Sequence, residues 1–192
     1  MIVYKTGDIL MATEDIICQQ VNCKGVMGAG LAKQIRNKYP KCFEDYSLYV
    51  ENWGYDAAVL LGGVHYYRDK SGKVIANLFG QNGFGREKQQ TDYKSLRRAF
   101  HNVKNKVTCM DDQDGGKSVA IPYGIGCGLA GGNWDVVQEI IDEVFADYEV
   151  SVYKFKESPL PCLIKMKLHP ILIMLYECEI ESIKEVKVDG GV

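Results

Sequence analysis

The chain has 192 residues, with 23 Lys and Arg against 25 Asp and Glu, and a formal charge of −2. That length suits one compact domain with room for an appendage. The near balance of charge excludes a broadly basic nucleic-acid binder, because a phosphate backbone selects a clear cationic surplus, and leaves open only a local basic patch. With 46% hydrophobic and 25% charged residues, the composition is that of a folded globular chain rather than a disordered one. No stretch approaches the roughly 18 uninterrupted apolar residues of a membrane helix. The opening MIVYKTGDIL lacks the apolar core and cleavage site of a secretory leader. The seven cysteines are an odd set without CxxC pairs, and several sit in apolar runs. They indicate a reducing cytoplasm, with neither a disulfide framework nor a zinc site. His65, His101 and His169 are too scattered to suggest a metal.

Strand and helix patterns alternate from the start. Residues 2–4 form a short apolar strand, and 16–21 (IICQQV) form a second one that runs into a glycine-rich loop. Leu31, Ile35 and Tyr39 then recur at helical spacing until Pro40, after which Phe43, Tyr46 and Val50 mark another helix. Residues 59–67 and 74–79 read as two strands joined by the polar, glycine-containing connection 69–73. Thr91 is the expected cap of a helix with Leu96, Phe100, Val103 and Val107 on one face. A polar loop at 111–117 precedes the strand 118–122 (SVAIP) and a second glycine-rich loop. Asn133 is the expected cap of a helix carrying Val137, Ile141, Val144 and Tyr148, and 149–155 (EVSVYKF) is a last strand. This alternation predicts an α/β domain over residues 1–155, a mixed, mostly parallel sheet covered on both faces. Residues 156–192, where Pro159 and Pro161 break the pattern, read as a C-terminal extension without an assigned role.

Eight of the 20 glycines cluster at two addresses. One is 22–31 (NCKGVMGAGL), the other 122–132 (PYGIGCGLAGG), and each lies between a strand and a helix. Such loops expose consecutive backbone N–H groups beside the positive end of a helix, which is how phosphate oxygens are held. A tight turn that merely packs helix on strand explains either loop alone, but two at matching junctions suit a diphosphate gripped from both sides. Gly126, Gly128 and Gly131 also spell the dinucleotide fingerprint. They lie late in the domain, and Glu149 opens the next strand instead of closing it, so a NAD(P)-dependent oxidoreductase is a distant alternative.

Three segments together, 7–9 (GDI), 20–32 (QVNCKGVMGAGLA) and 121–129 (IPYGIGCGL), resemble the macro domain. The likeness is to its branch of ADP-ribose-1''-phosphate phosphatases and ADP-ribosyl-glutamate or DNA ADP-ribosyl hydrolases. The resemblance covers roughly residues 1–155 and implies a three-layer α/β/α sandwich with ADP-ribose over the strand ends. It implies that Asp8 accepts from the adenine amino group and that Ile9 packs on the adenine. Asn22 would lie near the distal ribose; Gly28, Ala29, Gly30 and Leu31 would line the diphosphate; Gly124, Ile125, Gly126, Cys127 and Gly128 would form the opposing wall. No cofactor, metal or membrane partner is implied. Cys127 has no histidine beside it in sequence and reads as a packing residue rather than a nucleophile.

The chain also departs from that branch. Gln81 stands where relatives carry a nucleophilic lysine, and an amide cannot form a Schiff base. Ala130 stands for their partner aspartate, and Gln19 for a histidine that precedes Gln-Val-Asn. Asp92 remains as a carboxylate able to activate water, with helix N-terminal stabilisation as its plainer role. Lys24 is a candidate phosphate contact or a solvated loop cation. Two functions therefore stand: a hydrolase removing a group from the distal ribose of ADP-ribose, and a reader that binds ADP-ribose without turnover.

Overall fold

The structure, a computed structural model, describes residues 1–109 and 117–155. All but the last residue of the polar loop at 111–117, and the whole extension at 156–192, lie outside the described residues. In chain order come β1 (Ile2–Thr6), a 3-10 turn (Ile9–Met11), β2 (Ile16–Asn22), α1 (Gly30–Lys38), α2 (Pro40–Asn52) and α3 (Ala57–Leu60). They are followed by β3 (Val64–Arg68), β4 (Val74–Gln81), α4 (Tyr93–Thr108), β5 (Val119–Pro122), α5 (Trp134–Val144) and β6 (Val150–Lys154). The six strands make one sheet in the order β1-β6-β5-β2-β4-β3. Every neighbouring pair is parallel except β3 with β4, an edge hairpin.

Period-two alternation along β2 divides the core between the two sheet faces. Ile16 and Cys18 join Leu96, Phe100 and Val103 of α4 and Val137, Ile141 and Val144 of α5. Ile17 packs with Ile35 of α1 and Cys42 of α2, and Val21 with Tyr46, Val50 and Phe79. The result is the expected α/β/α sandwich. The described cysteines at 18, 23 and 42 are buried and free, and burial pushes their thiols up to about 12, 11 and 11.

Three local expectations are corrected. Residues 59–67 do not form one strand. Asp56 accepts from the Ala58 amide at 2.8 Å and starts a helical turn, and Gly62 at φ +76° releases the chain into β3. The cap of α4 is Asp92, not Thr91: the Asp92 carboxylate accepts from Ser95 N at 2.8 Å, while the Thr91 hydroxyl donates to the Gly126 carbonyl at 2.6 Å. Asn133 does cap α5, accepting from Asp135 N, but the helix stops at Val144, and Tyr148 packs beyond its end.

Glu14 ties the turn after β1 to the last strand. It is 4% exposed, and burial alone would push its carboxyl up. Hydrogen bonds from Lys5 Nζ at 2.6 Å, from Ser151 and from Tyr153 Oη at 2.8 Å outweigh that and hold it at about 2. A depressed folded-state value means stability that is present above the ordinary value of 4.5 and lost as pH falls toward 2. Glu14→Gln is therefore expected to lower the melting temperature at pH 7 and to flatten the acid limb between those values. An acid limb identical to that of wild type would show that these hydrogen bonds add nothing.

Candidate functional site

β2 and β5 lie side by side and parallel, so both deliver their loops to the same edge of the sheet, outside the carboxyl ends of the strands. The first loop is shaped by Asn22. Its Oδ1 accepts from Lys24 N at 2.9 Å and Val26 N at 3.3 Å, its Nδ2 donates to Val26 O at 2.7 Å, and Tyr46 Oη donates to its carbonyl at 2.5 Å. The chain then passes Gly28 and enters α1, whose first intrahelical bond runs from Lys33 N to Ala29 O at 3.2 Å. The amides of Gly30, Leu31 and Ala32 thus have no acceptor within the helix and stand at its positive end.

The second loop is a series of tight turns: Ile125 N donates to Pro122 O, Cys127 N to Gly124 O and Gly132 N to Gly126 O. Gly124 and Gly126, at φ +72° and +73°, supply the left-handed backbone these turns need. Among the described residues, the amides of Gly124, Gly126 and Gly128 have no acceptor.

A cavity of about 560 Å³ lies between the loops. Asn22, Gly28, Ala29, Gly30 and Leu31 form one side, and Gly124, Ile125, Gly126 and Gly128 the other, as the motifs imply. The remaining predicted residues stand outside the wall. Asp8 caps the 3-10 turn, accepting from Leu10 N at 2.9 Å, and Ile9 is buried beneath it. Asp92 is exposed at the start of α4. Cys127 is half-buried against the α4–α5 core, its thiol is 3.3 Å from Ile125 O, and burial pushes it up to about 11. A thiol that stays protonated at neutral pH packs rather than attacks. Lys24 is exposed and does not line the cleft.

The floor is made by the glutamines that the sequence singled out as departures or motif ends, and Phe84 and Arg86 are among the lining residues it did not mark. Gln19, Gln20 and Gln81 line it, and Phe84 and Arg86 approach from the loop after β4. Gln20 Nε2 donates to Gln81 Oε1 at 2.7 Å and to Thr91 Oγ1 at 2.9 Å, while Gln81 Nε2 donates to Gly83 O at 2.7 Å. The Gln20 carboxamide fits only because two glycines face it. A Cβ at Gly126 or Gly80 would stand 2.4 or 2.7 Å from Gln20 Oε1. A second cavity of about 550 Å³ holds Arg68, Lys73, Lys106, Lys117 and Asp15. There Lys73 donates to the carbonyls of Ala12 and Glu14, Arg68 donates to Gly72 O, and Lys106 covers the Tyr66 ring, so these three cations are already engaged.

A mostly parallel sheet whose central strands end in two facing glycine loops defines an α/β domain with a cleft edged by backbone amides. The chain belongs to the Macro domain family, whose profile matches residues 18–141. It is similar to the ADP-ribose 1''-phosphate phosphatase of Saccharomyces cerevisiae, at 25% identity over 80% of this chain and 98% of that protein. It is also 46% identical over 46 residues to the DNA ADP-ribosyl glycohydrolase of Mycobacterium tuberculosis, covering 24% of this chain and only 13% of that protein. Among solved structures it resembles Thermosipho africanus DarTG in complex with ADP-ribose, with a TM-score of 0.65 and 17% identity over 89% of this chain and 46% of that one.

The glycine requirement is open to measurement. Gly126→Ala forces a left-handed alanine against Gln20 and is expected to cost about 2 kcal/mol in urea unfolding. Gly128→Ala, whose Cβ meets nothing within 4 Å, is expected to cost under about 0.5 kcal/mol. Equal losses would show that the Gln20 fit is not what demands glycine at 126.

Proposed function

We propose that this protein binds ADP-ribose in the cleft and hydrolyses a group from its distal ribose. The group is the phosphate of ADP-ribose-1''-phosphate or the partner of an ADP-ribosyl conjugate. The observation that carries this reading is the pair of facing loops with unbonded amides, on a chain whose relatives carry those activities in their names. The diphosphate lies between the amides of 30–32 and those of Gly124, Gly126 and Gly128, with Arg86 as the added cation. Asp8 and Ile9 take the adenine end, as the family resemblance implies, Asp8 through the carboxylate oxygen that its cap leaves free. Anchoring both ends of the ligand fixes the distal ribose against the glutamine floor, where positioning and backbone dipoles lower the barrier to attack by water. Asp92 is the candidate base. What supports it is that its neighbour Thr91 donates to the Gly126 carbonyl of the wall. The free buried thiols fit a reducing cytoplasm.

One observation favours the reader instead. Among the described residues lining the cleft there is no Asp, Glu, His, Lys or Cys, so no carboxylate or imidazole stands in the wall as a general base.

Calorimetry with ADP-ribose tests the shared premise, and absence of heat at about 1 mM ligand with an unchanged melting temperature would sink both readings. Phosphate release from ADP-ribose-1''-phosphate, run beside ADP-ribosyl-thymidine and ADP-ribosyl-glutamate, separates hydrolase from reader. For Asp92, the informative variant is Asp92→Asn, which keeps the cap on α4. Turnover is expected to fall at least 100-fold with binding intact, and undiminished turnover would remove Asp92 from the reaction.

A further inference from the structure

Gln19 is 1% exposed, lines the cleft, and holds a buried carbonyl oxygen with no hydrogen-bond partner. Its other amide atom begins a chain of contacts that the sheet register creates. Gln19 of β2 pairs with Asn77 of β4, and Asn77 with His65 of β3. Their side chains meet: Gln19 Nε2 is 2.6 Å from Asn77 Oδ1, and Asn77 Nδ2 is 3.0 Å from His65 Nδ1. His65 Nε2 is in turn 3.2 Å from Oδ2 of Asp45, an exposed carboxylate on α2.

This chain has a direction, and donor and acceptor bookkeeping fixes it. A carboxylate only accepts, so His65 presents Nε2–H to Asp45, which leaves Nδ1 as an acceptor in the neutral ring. Asn77 must then turn its NH₂ to His65 and its oxygen to Gln19. Gln19 must give its NH₂ to Asn77, and its oxygen is left over. Two sulfur atoms agree. Cys42 Sγ lies 3.7 Å from Asn77 Nδ2 and Met27 Sδ lies 3.9 Å from Gln19 Nε2, each an acceptor facing an NH₂. Asp45, Tyr46 and Tyr49 face His65 from α2, and Asn77 faces it from β4. Of these, Asp45 alone favours a charged ring. Burial outweighs it and holds His65 below the ordinary histidine range, hence neutral at pH 7.5.

We infer that Gln19 Oε1 is a specificity-determining acceptor for a hydroxyl of the distal ribose, and that Asp45, acting through His65 and Asn77, is the positioning residue that sets its polarity. The assignment rests on the ADP-ribose reading of the cleft. A carbonyl oxygen repels an oxyanion, so it belongs to a part of the ligand that carries a donor. Asp8 follows β1, at the far edge of the sheet from β4, and marks the adenine end. The donor group left over β2 and β4 is the distal ribose. Gln19 occupies the place where the resemblance expects a histidine, and it supplies an acceptor there in place of an acid or base.

The test compares ADP-ribose with ADP, which lacks the distal ribose, on the full chain by calorimetry at pH 7.5. Gln19→Met is expected to weaken ADP-ribose about tenfold and ADP less than about twofold. Asp45→Ala alters only an exposed residue and so preserves the fold; it is expected to weaken ADP-ribose about threefold with ADP unchanged. Equal losses for both ligands, or none for either, would overturn the assignment. Separately, ¹⁵N imidazole spectra are expected to show His65 as the Nε2–H tautomer in wild type and a mixture of tautomers in Asp45→Ala. The Nδ1–H tautomer in wild type would overturn the relay. Failure of wild type to bind ADP-ribose would remove the proposed function, and the ligand contact with it, while the tautomer is still read directly.

Discussion

The cleft depends on β2 being buried on both faces. Ile17 and Cys18, consecutive and pointing to opposite helical layers, are each fully buried. A strand in that position ordinarily reads as an unbroken apolar run. β2 keeps to that through Cys18 and then places two carboxamides, Gln19 and Gln20, past its pairing with β5 and still within its ladder with β4. An unsatisfied buried amide costs about 1–3 kcal/mol, and each of these leaves one oxygen without a partner. The surrounding core makes that cost tolerable, because the helices on both faces and the strands β5 and β4 fix β2 before its polar end is reached.

The two loops and the floor divide the chemistry between them. Backbone amides at 30–32, Gly124, Gly126 and Gly128 are donors without mobile counter-charges, so an anionic ligand is held without a cationic surplus. On the proposed reading, that is how a chain of net charge −2 would serve a diphosphate. The floor is the complement. Two of its glutamines, Gln19 and Gln20, turn their NH₂ groups into the protein, toward Asn77, Gln81 and Thr91, and leave carbonyl oxygens without partners. A ligand with oxyanions at one end of its length and hydroxyls at another matches that division, and a ligand of uniform polarity does not.

Much of this was legible in the sequence because it is local. The 4, 3, 4 spacing along α4, the 4, 3 spacing of Val137, Ile141 and Val144 along α5, the Asn133 cap and the two glycine loops are each written within about a dozen consecutive residues. Errors arose where neighbouring residues compete. Thr91 and Asp92 are both good caps, and only the distant Gly126 carbonyl, by engaging the Thr91 hydroxyl, decides between them. Residues 59–67 are apolar enough for a strand, yet Asp56 and Gly62 bracket their first part as a helical turn. The chain through Gln19, Asn77, His65 and Asp45 has no local signature at all. It joins three strands and a helix, and it exists only once the β2–β4 and β3–β4 registers are set.

Gln81 shows how the floor and the reaction are linked. Its carboxamide accepts from Gln20 and donates to Gly83 O, satisfying a donor on one side and an acceptor on the other. A lysine at that position would set only donors against Gln20 Nε2. Gln20 would have to turn over, bringing Oε1 toward the ammonium and its NH₂ into the space between Gly80 and Gly126, and Thr91 would lose the donor it accepts from. The orphaned oxygen of Gln20 is thus a consequence of glutamine at 81. A lysine at 81 and an unpartnered Gln20 oxygen are alternative states of the same side-chain network. Having the second, this chain keeps a hydrogen-bonded glutamine where a lysine would bring an amine, and the orphaned oxygen of Gln20 belongs to that network as much as the missing amine does.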